Sequence, residues 1–268
     1  MIRSYLFVPA NRPERYAKAL AAGADALIID LEDAVPLAEK NSARTALANW
    51  FAGADAVRED VYVRLNAPGT PWYDDDVAMC RAARVKGVMP AKSERASDIG
   101  ALAQVLGNDV VILPLIESAL GFANAAAIAA VPQVGRLVFG TIDFQLDLGL
   151  EGEDLELLYF RSQLSLLSRL AGLPGPVDGV TTTVDDVERI RADTLRGKRL
   201  GFTAKLCIHP KQVAAVHAAY APTAEEVEWA GRVLAAAEAA HGGAFALDGK
   251  MVDRPVILKA EKIRALSA

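Results

Sequence analysis

Long apolar runs are missing from this chain of 268 residues: no stretch reaches the roughly 18 to 20 residues that cross a bilayer, so no membrane span is expected. Cysteine is scarce. Cys80 and Cys207 are too few for a disulfide framework and have no zinc-ligand spacing, so both are read as buried thiols. Histidine is scarce as well, and His209, His217 and His241 lack the helical or hairpin pairing that a zinc site needs. His209, just before Pro210, is read as structural. Lys/Arg-rich runs are absent and the net charge is −5, which argues against a nucleic-acid partner. The opening MIRSYLFVPANRPERY is too short in its apolar part and too soon charged for a signal peptide, so a cytoplasmic protein is expected. No internal repeat is visible. No GxGxxG follows any strand-like run, which leaves a doubly wound open sheet as the second choice of fold.

What is present is enough apolar sequence for a full core, 52% of the chain, in a regular alternation. Short runs rich in Val, Ile and Leu recur at 4–8, 26–30, 61–65, 87–90, 110–114, 137–140, 175–180 and 203–208. Segments with helical apolar spacing lie between them, at 13–22, 36–51, 75–84, 96–106, 121–130, 154–171, 184–197 and 210–219. Such runs read as parallel strands covered on both faces, and eight alternations predict a TIM (β/α)8 barrel over residues 1–221. Residues 222–268 read as an appended C-terminal helical segment. It holds a helix at 223–240 opened by a capping box of Thr223 and Glu226, a Gly-rich turn at 241–243, and then FALDGKMVDRPVILKAEKI.

In a barrel of this kind ligands bind at the C-terminal ends of the strands. Asp30, Glu32, Asp33, Arg64, Asn66, Lys92, Glu117, Asp143, Asp178, Lys205 and His209 are all expected there. Charge at that density is costly to bury unless it is paired or metal-bound. Taken one at a time, these residues could equally form a ring of ion pairs closing the barrel top. Glu117, in VVILPLIES, and Asp143, in RLVFGTID, each sit just past an apolar run and could meet over one hard cation. Two carboxylates with several waters suit Mg²⁺ and leave positions for a bidentate 2-keto or 2-hydroxy acid. Arg64 ends the strand of VYVRLNAPG, where a fixed guanidinium could hold a carboxylate or stabilise an enolate oxygen. Glu32 and Asp33, in the LEDAV turn, are placed to orient Arg64 or a metal-bound water.

These motifs resemble the citrate lyase beta-subunit family of carbon–carbon acyl-CoA lyases, with malyl-CoA and citramalyl-CoA lyases, in the wider HpcH/HpaI aldolase superfamily. The likeness runs nearly end to end. It takes in RSYLFVPANRPERYAKAL, GADALIIDLEDAVPLAEKNSAR, VRLNAPGTPWYDDD, PLIESALG, VFGTIDFQLDLG, the run at 201–210 and LDGKMVDRPV. The resemblance implies that Glu117 and Asp143 ligate Mg²⁺ and that Arg64 binds the keto-acid end and polarises the reacting carbonyl. It implies that Asp253, in a tail that reaches a neighbouring subunit's site, moves a proton at the acetyl-CoA methyl. Arg64, Asp253 and Glu32 are then the expected catalytic set. Arg64, Asn66 and backbone N–H groups of Gly140 and Thr141 are the expected substrate contacts. Arg12, Arg15, Lys18 and Lys92 are placed to steer a CoA phosphate or adenine. The chain departs from relatives around Met89–Lys92, Ala204–Lys205 and Thr141–Gln145, stretches that flank the substrate and leave the metal carboxylates intact.

The expected activity is Mg²⁺-dependent cleavage of a short 3-hydroxyacyl-CoA (citramalyl-CoA, malyl-CoA or citryl-CoA) to a 2-keto acid and acetyl-CoA. The alternatives are a citrate lyase beta subunit acting on an acyl-carrier-bound citryl thioester, a thioesterase on the same scaffold, and a non-catalytic metal-binding subunit. An acyl-CoA or keto-acid ligand and a homo-oligomer, a trimer or a hexamer, are the expected partners.

Overall fold

The computed structural model describes residues 2–53, 60–239 and 244–267. They divide into two compact units, Met1–His217 and Ala218–Ala268, where the sequence reading set its boundary at 221/222. The first unit is built on β1 (Ser4–Pro9), β2 (Ala26–Asp30), β3 (Val61–Leu65), β4 (Gly87–Pro90), β5 (Val111–Ile112), β6 (Leu115–Ile116), β7 (Val138–Phe139), β8 (Val177–Asp178) and β9 (Ala204–Cys207). They form one sheet in the order β5-β4-β3-β2-β1-β9-β8-β7-β6, and the pairs along it are parallel.

The two ends of that order are halves of one extended run. Proline has no N–H to give a ladder, so the run breaks at Pro114 and its halves pair in opposite directions. Leu113 N–H donates to Val88 O at 2.9 Å on one side, and Val138 N–H donates to Pro114 O at 3.1 Å on the other. The run therefore joins β4 to β7, and the sheet closes into the expected (β/α)8 barrel.

Side chains alternate across such a sheet, and one parity fills the barrel. Tyr5, Ile28, Tyr62, Met89, Val138 and Leu206 come from different strands and belong to one buried cluster. Two residues further along their strands, the same inward parity brings Asp30 and Arg64 to the mouth, and Glu117 follows Leu115 in the same way. The opposite parity faces the helices. Asp178 and Lys205, register partners on β8 and β9, have it. Both were expected at the mouth, and the structure corrects this: they are buried on the outer face of the sheet. There Asp178 Oδ1 accepts from Arg161 Nε at 2.9 Å, and Lys205 Nζ donates to Gly179 O at 2.6 Å.

The helices differ from the expectation in detail. The segment at 36–51 opens as a 3-10 turn, Leu37–Glu39, before the helix Lys40–Gly53. The segment at 121–130 is two short helices, Ala119–Ala123 and Ala125–Ala129, interrupted at Asn124, whose amide donates to Glu94 O at 2.8 Å. One helix was not anticipated: Thr141–Leu148, closed by Gly149 with φ 67°. A left-handed cap of that kind favours glycine.

In the second unit the capping box is made. Thr223 N–H donates to Glu226 Oε2 at 2.9 Å and Glu226 N–H donates to Thr223 Oγ1 at 3.1 Å. The helices Ala224–Ala239 and Arg254–Ser267 share an apolar core that includes Val233, Val252, Ile257 and Ile263. Between them lies a hairpin, β10 (Phe245–Leu247) and β11 (Lys250–Val252), turned by Asp248 and Gly249 at φ 52° and 72°. Two positive φ values are what a tight hairpin turn needs, and Asp-Gly supplies them. The turn expected at 241–243 lies outside the described residues.

Candidate active site at the barrel mouth

Asp30 is the last residue of β2 and Arg64 the fourth of β3, and the two are register partners. The guanidinium grips the carboxylate with both arms, Nε to Oδ1 at 2.7 Å and Nη2 to Oδ2 at 2.6 Å. Its third nitrogen, Nη1, lies 2.9 Å from Glu32 Oε2. Below it is the Phe7 ring, with its centroid 4.9 Å from the guanidinium carbon. Burial works against the Arg64 charge, but Asp30 and then Glu32 outweigh it and hold the group more firmly protonated than usual. Asp30 also accepts from the backbone N–H groups of Glu32 and Ala34, so the LEDAV turn wraps the aspartate that precedes it. Burial pushes the Glu32 carboxyl up to about 7, against the pull of Arg64.

Glu117 follows β6 and turns into the barrel. It is 4% exposed, and burial pushes its carboxyl up to about 8 although the amide and ammonium of Lys92 pull the other way. Lys92 N–H donates to Glu117 Oε1 at 2.7 Å. Lys92 Nζ reaches Asp143 Oδ1 at 3.1 Å. Asp143 is not at a strand end, as expected, but in the first turn of Thr141–Leu148, four residues beyond β7. An aspartate there also suits the positive end of the helix.

Gly140 is what lets the carboxylate in. A Cβ on it would lie 2.6 Å from Glu117 Cβ and 2.7 Å from Glu117 Oε2. Its own N–H, expected to face a substrate carboxylate, donates instead to Ile116 O at 2.9 Å, because it still belongs to the β6–β7 ladder. Thr141 is buried, and its hydroxyl has no hydrogen-bond partner among the described residues. An unpaired buried hydroxyl is uncommon and calls for a ligand or water.

Asn66, expected against the substrate, is enclosed in a buried network. Its Oδ1 accepts from Lys40 Nζ at 2.7 Å, and its Nδ2 donates to Leu31 O and Asp76 Oδ2. Lys40 also donates to Leu31 O and Glu32 O, so this network fixes the turn that carries Glu32. His209 accepts from Lys211 N–H at 3.2 Å, ahead of the helix Lys211–Tyr220, in the structural place expected of it. Arg12, Arg15 and Lys18 are exposed on the segment after β1, Arg12 with Glu14 at 2.7 Å. Asp253 belongs to the second unit, where its backbone carbonyl accepts the N–H groups of Val256 and Ile257 at the start of the last helix. The partners Asp30, Lys40 and Asp76 carried no local sequence signal for these contacts, since each lies 10 to 34 residues from the group it holds.

The donor set can be tested against a divalent ion. A carboxylate as buried as Glu117, raised so far above its ordinary value, lacks a full counter-charge, and Lys92 supplies one only in part. Among the described residues no cluster of three or more His, Cys, Asp or Glu side chains forms a ready cage. Two carboxylates at an open mouth fit an ion that keeps several waters, as Mg²⁺ does. A hollow of about 330 Å³ is lined by Ile142, Glu153, Thr181, Asp186, Arg189 and Asp193 among others, and Glu117, Asp143, Arg64 and Lys92 do not line it.

A model of the HpcH/HpaI aldolase/citrate lyase family matches residues 3–210, which hold every mouth residue described above. The chain belongs to this family. A citrate lyase subunit beta-like protein of Deinococcus radiodurans is 39% identical over 98% of this chain and 96% of its own length. A (3S)-malyl-CoA thioesterase of Cereibacter sphaeroides is 36% identical over 99% and 97%. Among solved structures, protein CitE from Mycobacterium tuberculosis in complex with magnesium, acetoacetate and coenzyme A is similar with a TM-score of 0.87 at 35% identity, covering 99% of this chain and 97% of that one. The family match thus covers all nine strands of the barrel, and the relatives span the tail as well. No described helix is long and apolar enough to cross a membrane.

Proposed function

We propose that this protein is a Mg²⁺-dependent carbon–carbon lyase that cleaves a short 3-hydroxyacyl-CoA to a 2-keto acid and acetyl-CoA. The observation that carries the reading is the buried, charge-hungry Glu117 facing Asp143 at the mouth, with Arg64 held rigidly beside them. Glu117 and Asp143 hold the ion, which when bound supplies a Lewis acid for the substrate's hydroxyl and carboxylate oxygens. Arg64 is fixed by Asp30 before substrate arrives, so it offers a pre-oriented positive field to the oxygen that becomes the keto group. Glu32, near 7, can take up or release a proton within reach of that arginine. The first-turn amides of Thr141–Leu148 receive the substrate carboxylate. Asp253, from a neighbouring copy, protonates the methylene carbon of the departing acetyl-CoA enolate. In this reading the enzyme works as a homo-oligomer, a trimer or hexamer, in the cytoplasm.

A thioesterase reading competes because a relative of 36% identity is a (3S)-malyl-CoA thioesterase. In that case water attacks the thioester, and free CoA appears without a keto acid. The deciding experiment offers citramalyl-CoA, malyl-CoA and citryl-CoA, and follows keto acid, acetyl-CoA and free thiol together. Equal release of keto acid and acetyl-CoA, abolished by EDTA and by Glu117→Ala, is the expected result. Thiol without keto acid would replace the lyase with the thioesterase. Turnover only on a carrier-bound citryl group would make the chain a citrate lyase beta subunit.

A further inference from the structure

Lys92 stands out in the backbone. It follows β4 at φ 45°, in the left-handed region that favours glycine. A residue with a side chain persists there only where its surroundings over-determine it. What holds it is two contacts to the two candidate metal carboxylates at once. The amide N–H sits 2.7 Å from Glu117 Oε1, and the ammonium sits 3.1 Å from Asp143 Oδ1. The backbone contact is buried with Glu117, whereas the Lys92 and Asp143 side chains are 44% and 32% exposed. Glu32 is near enough to favour the charged form of the same ammonium.

We infer that Lys92 is an exchangeable counter-cation: its ammonium neutralises Asp143 in the metal-free protein and leaves it when a divalent ion enters, while its N–H stays on Glu117. This rests on the reading of Glu117 and Asp143 as the metal-holding pair. Two cations cannot share one carboxylate oxygen without mutual repulsion, and a doubly charged ion outcompetes a singly charged one. Lysine suits the part because it is a point charge on a flexible four-carbon stem, and this one has open solvent to move into. The left-handed backbone then has its own use. It keeps the amide aimed at Glu117 whether or not the side chain is engaged, so the buried ligand stays oriented through the exchange.

The sign of one experiment decides the matter. A lysine that merely supported the ligands would weaken metal binding when removed, whereas a competing cation strengthens it. Mg²⁺ is titrated calorimetrically into the full-length wild type, Lys92→Met, Lys92→Gly and Glu117→Ala. Glycine adopts φ 45° freely and keeps the N–H on Glu117, so it removes the side chain without moving the backbone donor, while methionine keeps an aliphatic stem and removes the charge. Both Lys92 variants should bind Mg²⁺ about 3- to 10-fold more tightly, the usual effect of a partly exposed ion pair raised by the burial of Glu117. Equal or weaker binding, or tightening in only one of the two, overturns the inference while wild-type binding lost in Glu117→Ala leaves the metal reading intact. Wild type that binds no Mg²⁺, or Glu117→Ala that binds it normally, overturns both.

Discussion

Gly140 and Glu117 face each other across the β6–β7 edge so closely that a methyl group on the glycine would lie 2.7 Å from Glu117 Oε2. The glycine conformation here is ordinary, with φ −86°, so the requirement is one of space. Gly140→Ala should therefore fold but displace the carboxylate. The expected outcome is at least about tenfold weaker Mg²⁺ binding, the scale on which misplaced metal-site neighbours act. Calorimetry beside a melting curve separates this from simple unfolding, and unchanged affinity would mean that Glu117 holds no ion.

The high carboxyl of Glu117 gives metal binding a pH dependence. Burial raises it from its ordinary range to about 8, so in the metal-free protein it is protonated at neutral pH. The folded protein then holds a proton that the unfolded chain releases near its ordinary value. That contribution is fully present below about 4.5 and is lost as pH rises through about 8. An ion on Glu117 must displace this proton. Mg²⁺ affinity should rise with pH between 6 and 8, by up to about tenfold per unit, and level off above. Titrations in buffers of different ionisation heat count the proton released, and a flat profile would place Glu117 away from the ion.

Much of this architecture is legible in the chain, because short continuous apolar runs between helical segments read as parallel strands buried on both faces. The mouth is less so. Nearness to strand ends predicts Asp178 and Lys205 at the mouth, yet Val177 and Leu206 point into the barrel, and alternation sends their neighbours Asp178 and Lys205 to the outer face. The helix at Thr141–Leu148 was missed because its eight residues follow a two-residue strand with no loop to announce it. The contact of Glu32 with Arg64 is anticipated by the turn that carries it, whereas the grip of Asp30 on Arg64 and those of Lys40 and Asp76 on Asn66 are beyond reach, since these partners meet only once β2, β3 and the helices Lys40–Gly53 and Tyr73–Ala82 are packed.

Arg64 is more than a positive charge. Both arms are engaged by Asp30 while Nη1 faces Glu32, a geometry that an ammonium cannot reproduce. Arg64→Lys should keep the fold and Mg²⁺ binding but lower kcat by at least about 100-fold, the range lost when a pre-oriented electrostatic group is removed. Steady-state kinetics on whichever acyl-CoA is cleaved would test it. A change confined to KM would reduce Arg64 to a substrate anchor.

Asp178 tests the opposite claim, that a charged residue next to the site has no part in the chemistry. It is fully buried on the outer face of β8, paired with an Arg161 that is itself only 2% exposed. Glu153 holds the other side of that guanidinium at 2.9 Å, and burial works against the Arg161 charge while Asp178 sustains it. Asp178→Asn keeps the shape and removes the charge, leaving a buried cation short of its partner, which costs about 3 kcal/mol when such pairs are broken. The denaturation midpoint should fall accordingly, while kcat/KM measured well below the melting point stays within about twofold of wild type. Asp178→Asn that kept full stability and lost turnover would return this aspartate to the mouth and undo the assignment of strand parity on β8.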